Sequence, residues 1–508
     1  MFGPISCELA NIDLGDERLN RRSRSVIEKL AADTEASVNA SFETWGDTLA
    51  AYRLLDNARV THEAVLEPHY QATRERMAQQ KVVVIAQDTT DMDFSKHPPK
   101  DAGCLTKPNR FGFYNHTQLA TTPSGLPLGL VGVTLFDRDA ESLGKANKRR
   151  HLPIEQKESI RWLEGYRRAN VLAQQCPNTQ VVSVADREAD MHDIFQEAEQ
   201  LRGEAGTPSA DYVIRSKENR RLDERVPPAE HNSRNAVYRK LYDEVPRSPV
   251  RYRTEISLPA TPKRKARQAK LEVRARSVTL KYPKNRPEME NVPCQMVHVR
   301  EVGRTTTAES DNKGEANIEW WLLTSLPVNT RKEIERVIQY YRARWQIEVY
   351  FRTLKTGCRV EHIQLETMAR LKNCLAFYQI IAWRVLCMTH LSRVQPDLPC
   401  DEVFTDSEWQ SVWHIVTRKP VPAQPPALGE FTKLLASLGG YNNRKNDPPP
   451  GPQTLWTGMR RMLDFAIAWQ LFTMASKELC INDRAGIQPS AGALDSRLRG
   501  NDVGGAFS

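Results

Sequence analysis

Hydrophobic and polar positions alternate in two rhythms along this chain, and the switches between them mark its layout. Up to about residue 75 the apolar residues recur at helical spacing, with Asn57 to Thr61 breaking two helices. A strand rhythm follows. KVVVIAQD (81–88) is a run of β-branched residues ending at an aspartate, and FYNHTQLATT (113–122) and LGLVGVTLFDR (128–138) flank the turn Pro123-Ser124-Gly125-Leu126-Pro127, a hairpin signal. A helix at 157–175, a second buried strand QVVSVAD (180–186), a helix at 187–201 and the strand DYVIRSK (211–217) come next. This order predicts a mixed sheet with helices packed on it, an α/β core. From about 218 to 318 the rhythm becomes short strands split by basic, proline-containing loops, which reads as a β-rich insertion. IEWWLLTS (318–325) returns to buried strand. A long helix over 331–357, an apolar helix around 366–394, a proline-rich stretch (418–430) and helices near 430–438 and 455–476 complete the ordered chain, and Asn482 to Ser508 is expected to be disordered.

Composition sharpens this layout at two points. The 508 residues carry 72 Lys+Arg against 63 Asp+Glu, and residues 233–286 alone hold 16 Lys/Arg against 4 Asp/Glu. That local excess is larger than the net charge of +9 and points to a polyanionic partner. The nine cysteines are scattered with no CxxC pair, which indicates neither a zinc site nor a disulfide framework. With no signal peptide at the start, a reducing cytoplasm is expected. The apolar run 373–391 is interrupted by Asn373, Gln379 and Arg384, so a buried helix is expected rather than a membrane span.

Candidate chemistry starts on the long helix. Tyr341, Arg344, Glu348 and Lys355 stand at offsets of 3, 7 and 14 residues, within a sector of about 60° that also holds Ile334, Val337, Ile338 and Trp345. A core stripe thus continues as a phenol, two cations and a carboxylate, groups that are costly there without a metal, a phosphate or each other. An amphipathic helix with ion pairs at its solvent end has the same spacing. Asp88 and Asp186, each ending an apolar strand, add two carboxylates that adjacent strands could bring to one sheet edge. Asp91 and Asp93 compete with the first, and Glu188, Asp190 and Asp193 with the second; Asp186 could also be a helix N-cap. Three gathered carboxylates repel one another unless divalent cations intervene, and an all-oxygen set suits Mg²⁺ or Mn²⁺. Two such ions about 3.5–4 Å apart can activate a water or a 3′-hydroxyl and stabilise the leaving oxygen of a phosphodiester.

DTT at 88–90, VADREAD at 184–190 and Tyr341-x2-Arg344-x3-Glu348-x6-Lys355 together resemble the DDE transposases of bacterial cut-and-paste insertion sequences, most closely the YREK-signature group of insertion-sequence family four. The likeness runs from about residue 10 to 478 and includes LGDERL, AYRLLDN, IRSK, WLLTS, LGGY and LWTGM. The resemblance implies a ribonuclease-H-like mixed sheet with flanking helices, a β-rich insertion before the catalytic Glu helix, and helical N- and C-terminal regions. It implies a DNA-binding region at 1–75, a catalytic domain at 76–365 with its insertion at about 218–318, a dimerisation region at 366–480, and a tail at 481–508. Asp88, Asp186 and Glu348 would be the metal-binding triad, holding two Mg²⁺ ions (or Mn²⁺). Tyr341, Arg344 and Lys355 would hold DNA phosphates near the cleaved end. Trp320 matches, by its distance to Tyr341, a tryptophan that stacks on a flipped base while a hairpin end forms, with Trp321 alongside leaving the register open. Arg215 and Lys217 lie where the group has basic residues close to the DNA end. The implied partners are double-stranded DNA with terminal inverted repeats, target DNA and a second copy of the chain, in a bacterial cytoplasm at the nucleoid and with no membrane. A catalytically silent DNA-binding repressor of transposition, and a carboxylate-paired sugar hydrolase, are the competing readings. The first keeps the basic segments but not the need for three acids; the second leaves the cations on the Glu helix unexplained.

Overall fold

A computed structural model describes residues 4–32, 37–107, 109–138, 152–203, 206–230, 233, 235–258, 266–303, 317–444, 447 and 449–484. Three N-terminal helices, α1 (Glu17–Ala32), α2 (Trp45–Leu55) and α3 (His62–Ala78), precede β1 (Val82–Asp93) and the hairpin of β2 (Gly112–Thr121) and β3 (Pro127–Phe136). Helix α4 (Ile160–Gln175), strand β4 (Gln180–Ala185), helix α5 (His192–Gly203) and strand β5 (Asp211–Arg215) complete the first half of the sheet. The insertion contributes β6 (Arg221–Arg225), β7 (Tyr238–Lys240), the one-turn α6 (Leu241–Glu244), β8 (Val250–Leu258), β9 (Arg267–Leu280) and β10 (Val292–Val302). It is followed by β11 (Glu319–Thr324), α7 (Arg331–Ala343), α8 (Trp345–Arg352), α9 (Met368–Val394), α10 (Asp406–Thr417), α11 (Leu428–Leu438) and α12 (Pro452–Arg484).

The strands form one sheet in the order β3-β2-β1-β4-β5-β11-β10-β9-β6-β7, with β8 pairing β9 off this path. β1, β4 and β5 run parallel, as their helical crossovers require, while β2, β3 and β11 are antiparallel to their neighbours. This is the mixed α/β arrangement expected of a ribonuclease-H-like core. The insertion is not a separate body. Its strands β9 and β10 extend the catalytic sheet through β11, because β11 pairs with β5 on one side and β10 on the other.

Helices cover both faces of the parallel centre. Val83 and Ile85 pack with Trp162, Leu163 and Tyr166 of α4 and Phe195 of α5. On the opposite face Val84, Val182 and Val184 meet Ile334 and Val337 of α7, while Ala86 belongs to a large core with Ile347 and Tyr350 of α8 and most of α9. The long apolar helix is therefore a core helix; nearly all of its most apolar stretch is buried. Three expectations need correction. The stretch 331–357 is not one regular helix: it breaks at Arg344 and ends in a π-helical turn, Thr353–Gly357, where Cys358 N–H donates to Thr353 O. Helix α10 lies where no element was expected, and α12 continues through Asn482 to Arg484; the rest of the expected tail, residues 485–508, lies outside the described residues.

Candidate active site

Asp88 is not at the end of its strand, as the apolar run predicts, but in the middle of the 12-residue β1. The parallel ladder with β4 stops at the pair Ala86 and Val184. Two residues further on in both chains stand Asp88 and Asp186, and Asp186 is still extended, at φ −82° and ψ −165°. The register of the ladder sets the two aspartates on one face, and the charge of Asp186 is felt at Asp88. Each is anchored by a backbone donor: Thr89 N–H to Asp88 Oδ1 at 2.8 Å, and Glu188 N–H to Asp186 Oδ1 at 2.8 Å. The N-cap reading of Asp186 is thus realised together with its place beside Asp88.

Glu348 arrives from α8. Thr330 and Glu333 form a capping box that starts α7, a signal written in the sequence as Thr-x-x-Glu, and the break at Arg344 then re-aims the following turn. Arg344 donates to Asp88 Oδ2 at 3.0 Å through Nη1 and to a Glu348 carboxylate oxygen through Nη2. One guanidinium therefore joins two of the three expected acids. Burial pushes the Asp88 carboxyl up to about 6, against the pull of Arg344, with the charges of Asp186 and Glu348 adding to the rise.

The competing carboxylates have other employment. Asp91 and Asp93 both pair with Arg110, at 3.0 and 2.8 Å, and their carboxyls lie below the usual range because Lys355 and then Arg110 at Asp91, and Ser95 and then Arg110 at Asp93, outweigh burial. Asp190 is buried against Arg220 and the backbone N–H groups of Lys217 and Glu218, and Asp193 pairs with Arg286. Asp88, in contrast to Asp91 and Asp93, is destabilised in its charged form.

Of the residues expected to meet DNA, Tyr341, Arg344, Trp320 and Arg215 line one cleft of about 620 Å³ beside Asp88. The Trp320 ring lies 5.5 Å from that of Tyr341, whereas Trp321 is buried against His298 and Tyr242. Trp320 thus faces the cleft and Trp321 the core. Lys355, on the π turn, lies outside the cleft lining and pairs with Asp91 and Glu361, each at 3.0 Å. Lys217 is exposed and is not part of the lining. Trp345, placed by periodicity in the core stripe, is 52% exposed and lines the cleft beside Tyr341 and Arg344. Gln346 and the Pro123–Gly125 turn also line it, and helical periodicity carries no signal for either.

Residues 5–60 match the family model for transposase DNA-binding, residues 167–383 the transposase DDE domain, and residues 380–472 the transposase Tn5 dimerisation domain. The chain belongs to the Tn5-like DDE transposases. The DDE match takes in Asp186 and Glu348 but begins after Asp88, which the strand register and the Arg344 ion pair bring to them. Among solved structures, the piggyBac transposase synaptic complex with hairpin DNA is 12% identical, over 90% of this chain and 81% of its own, with a TM-score of 0.31, too low to carry any argument. Transposase DDE domains generally use divalent metal ions, and the matched regions make DNA and a second copy of the chain its partners. The donor set fits such a cation: it is all oxygen, and Asp88 is raised by burial, with the charges of Asp186 and Glu348 adding to the rise. Among the described residues no three His, Cys, Asp or Glu side chains converge on a single point as they stand, since Arg344 holds the space between Asp88 and Glu348.

Proposed function

We propose that this transposase performs cut-and-paste transposition of an insertion sequence by metal-assisted phosphodiester hydrolysis and strand transfer, with Asp88, Asp186 and Glu348 as its catalytic carboxylates. The observation that carries the reading is the shared register of Asp88 and Asp186 on adjacent parallel strands, with Glu348 tied to Asp88 through Arg344. Two Mg²⁺ ions, or Mn²⁺ in their place, would supply activation of the attacking oxygen and stabilisation of the leaving one. The protein's own residues do the rest. Arg344 and Tyr341 hold backbone phosphates at the cleft, contacts that position DNA without reading its sequence. Release of Arg344 towards a phosphate frees Asp88 and Glu348 to turn to a cation. Trp320 offers a face on which an extruded base stacks, which offsets the few kcal/mol of unstacking as a hairpin end forms. Lys355, Arg215 and Lys217 complete the basic surroundings of the DNA end. The N-terminal helices recognise terminal inverted repeats, the C-terminal helices pair two protomers at the nucleoid, and the joined complex takes up target DNA.

The test is incubation of the protein and Mg²⁺ with DNA carrying the element's terminal repeats. Glu348→Gln should lose at least about 10³-fold in cleavage rate, as removal of a group central to the chemistry does, while binding the repeat DNA as tightly as the parent. Excision by Glu348→Gln at the parental rate would falsify the mechanism.

A further inference from the structure

Beyond the last ladder pair, Ala86 with Val184, backbone pairing no longer holds the two aspartate-bearing segments together. One side chain spans them. Arg161, in the first turn of α4, donates through Nε to Thr89 Oγ1 at 3.2 Å and places Nη2 3.6 Å from Glu188 Oε2. Thr89 and Glu188 are the residues whose backbone N–H groups anchor Asp88 and Asp186, each at 2.8 Å. The guanidinium is itself fixed: Nη1 donates to Glu158 O at 2.6 Å and the group lies 4.8 Å over the Phe136 ring. Its side chain is only 12% exposed. Thr89 is braced from the other side by His116 Nδ1 at 2.9 Å, whose ring meets Trp162, the residue after Arg161, edge-on at 4.7 Å. Helix α4 can approach this closely because Gly165 lies against Gln87, where a Cβ would come within 2.1 Å of Gln87 Oε1, and Gln118 Nε2 donates to Gly165 O at 2.7 Å.

We infer that Arg161 is a positioning residue that sets the spacing of Asp88 and Asp186, and hence the cation affinity of the pair, without touching DNA. The inference rests on the proposed catalytic role of those aspartates. Outer partners that orient ligating carboxylates change metal affinity by about 10–100-fold when removed. A buried arginine costs solvation, and burial does lower the basicity of Arg161, so its retention between these two segments asks for a purpose that packing alone does not give.

The test measures Mn²⁺ binding to the full chain without DNA by electron paramagnetic resonance, beside the affinity for terminal-repeat DNA in EDTA and a thermal melt. Arg161→Gln is expected to weaken Mn²⁺ binding about 10-fold and to leave DNA affinity within about twofold, because no phosphate contact is lost. Arg161→Lys, which reaches one partner but not both, should fall between. Thr89→Val should weaken Mn²⁺ binding in the same direction and Thr89→Ser should not; these two carry the test if the arginine variants melt early. Unchanged Mn²⁺ affinity in folded Arg161→Gln overturns the inference, as does a loss of DNA affinity in step with the metal. Failure of the parent chain to bind Mn²⁺ at all would instead sink the proposed function, and this inference with it.

Discussion

Two clusters in this protein set an arginine against carboxylate, and they behave in opposite ways. In the first, Glu8 is buried between His69 and Arg76, which donate to its two oxygens at 2.6, 2.9 and 3.1 Å. Leu130 N–H donates to His69 Nε2 at 3.0 Å, so the ring is neutral with its proton on Nδ1, facing Glu8. Burial alone would raise the Glu8 carboxyl, yet His69 and then Arg76 hold it down to about 2. Arg76 also donates to Leu128 O and lies 4.5 Å over Trp383, so the cluster bolts the N-terminal segment and α3 to β3 and α9. In the second cluster, Asp88 shares a single arginine with Glu348, faces Asp186, and is pushed up to about 6. The lesson lies in the count of charges. A carboxylate with more donors than it needs serves the fold, while a buried carboxylate that shares its one guanidinium with a second acid, with the charge of a third nearby, stores a demand for further positive charge.

The sharpest break between the clusters is expected in stability. Glu8→Ala leaves Arg76 and His69 without their buried partner and should cost about 3–5 kcal/mol, whereas Asp88→Asn should be neutral or stabilising in metal-free buffer. Chemical denaturation of both variants checks this, and equal losses would erase the distinction. Acid provides a second contrast. Glu8 has its carboxyl lowered from 4.5 to about 2, so its contribution is complete above pH 4.5 and lost as pH falls through about 2. That loss amounts to about 3 kcal/mol and should vanish from the acid limb of Glu8→Gln. Asp88 has the opposite sign: its contribution is complete below pH 3.8 and lost as pH rises through about 6. A carboxyl NMR titration should place its midpoint near 6, and Mg²⁺ should move that midpoint down, because a cation favours the charged form. The smallest effect is expected at the rim. Lys217→Ala should change repeat-DNA affinity less than about threefold and lower the slope of log affinity against log salt by about 1. A larger loss would move Lys217 from the surface into the cleft.

The basic insertion shows how far linear charge can mislead. Its excess of cations is real, but Arg276 pairs with Glu224, Lys281 with Asp223, Arg286 with Asp193, and Arg267 with Glu301, all acids outside the 233–286 window. Lys263, Arg264 and Lys265 lie outside the described residues. Part of the surplus is therefore paired inside the sheet extension, and Arg215, Arg342 and Arg344 line the cleft together with Trp320 and Trp345.

Local pattern was enough for the strands around Asp88 and Asp186, for the buried character of α9, and for the four-residue signature of Tyr341, Arg344, Glu348 and Lys355. These depend on periodicity and on residue identity at fixed intervals, quantities a single strand or helix carries by itself. That Arg110 takes Asp91 and Asp93 was not so written. Nor was the exposure of Trp345 at the cleft, or the reach of Arg161, which depends on how closely α4 docks. The chain alone determined which chemical groups exist and which local elements carry them. Only the folded sheet decided which of those groups stand together, because ladder register and helix docking join residues about a hundred or more positions apart, and charge is settled between neighbours in space.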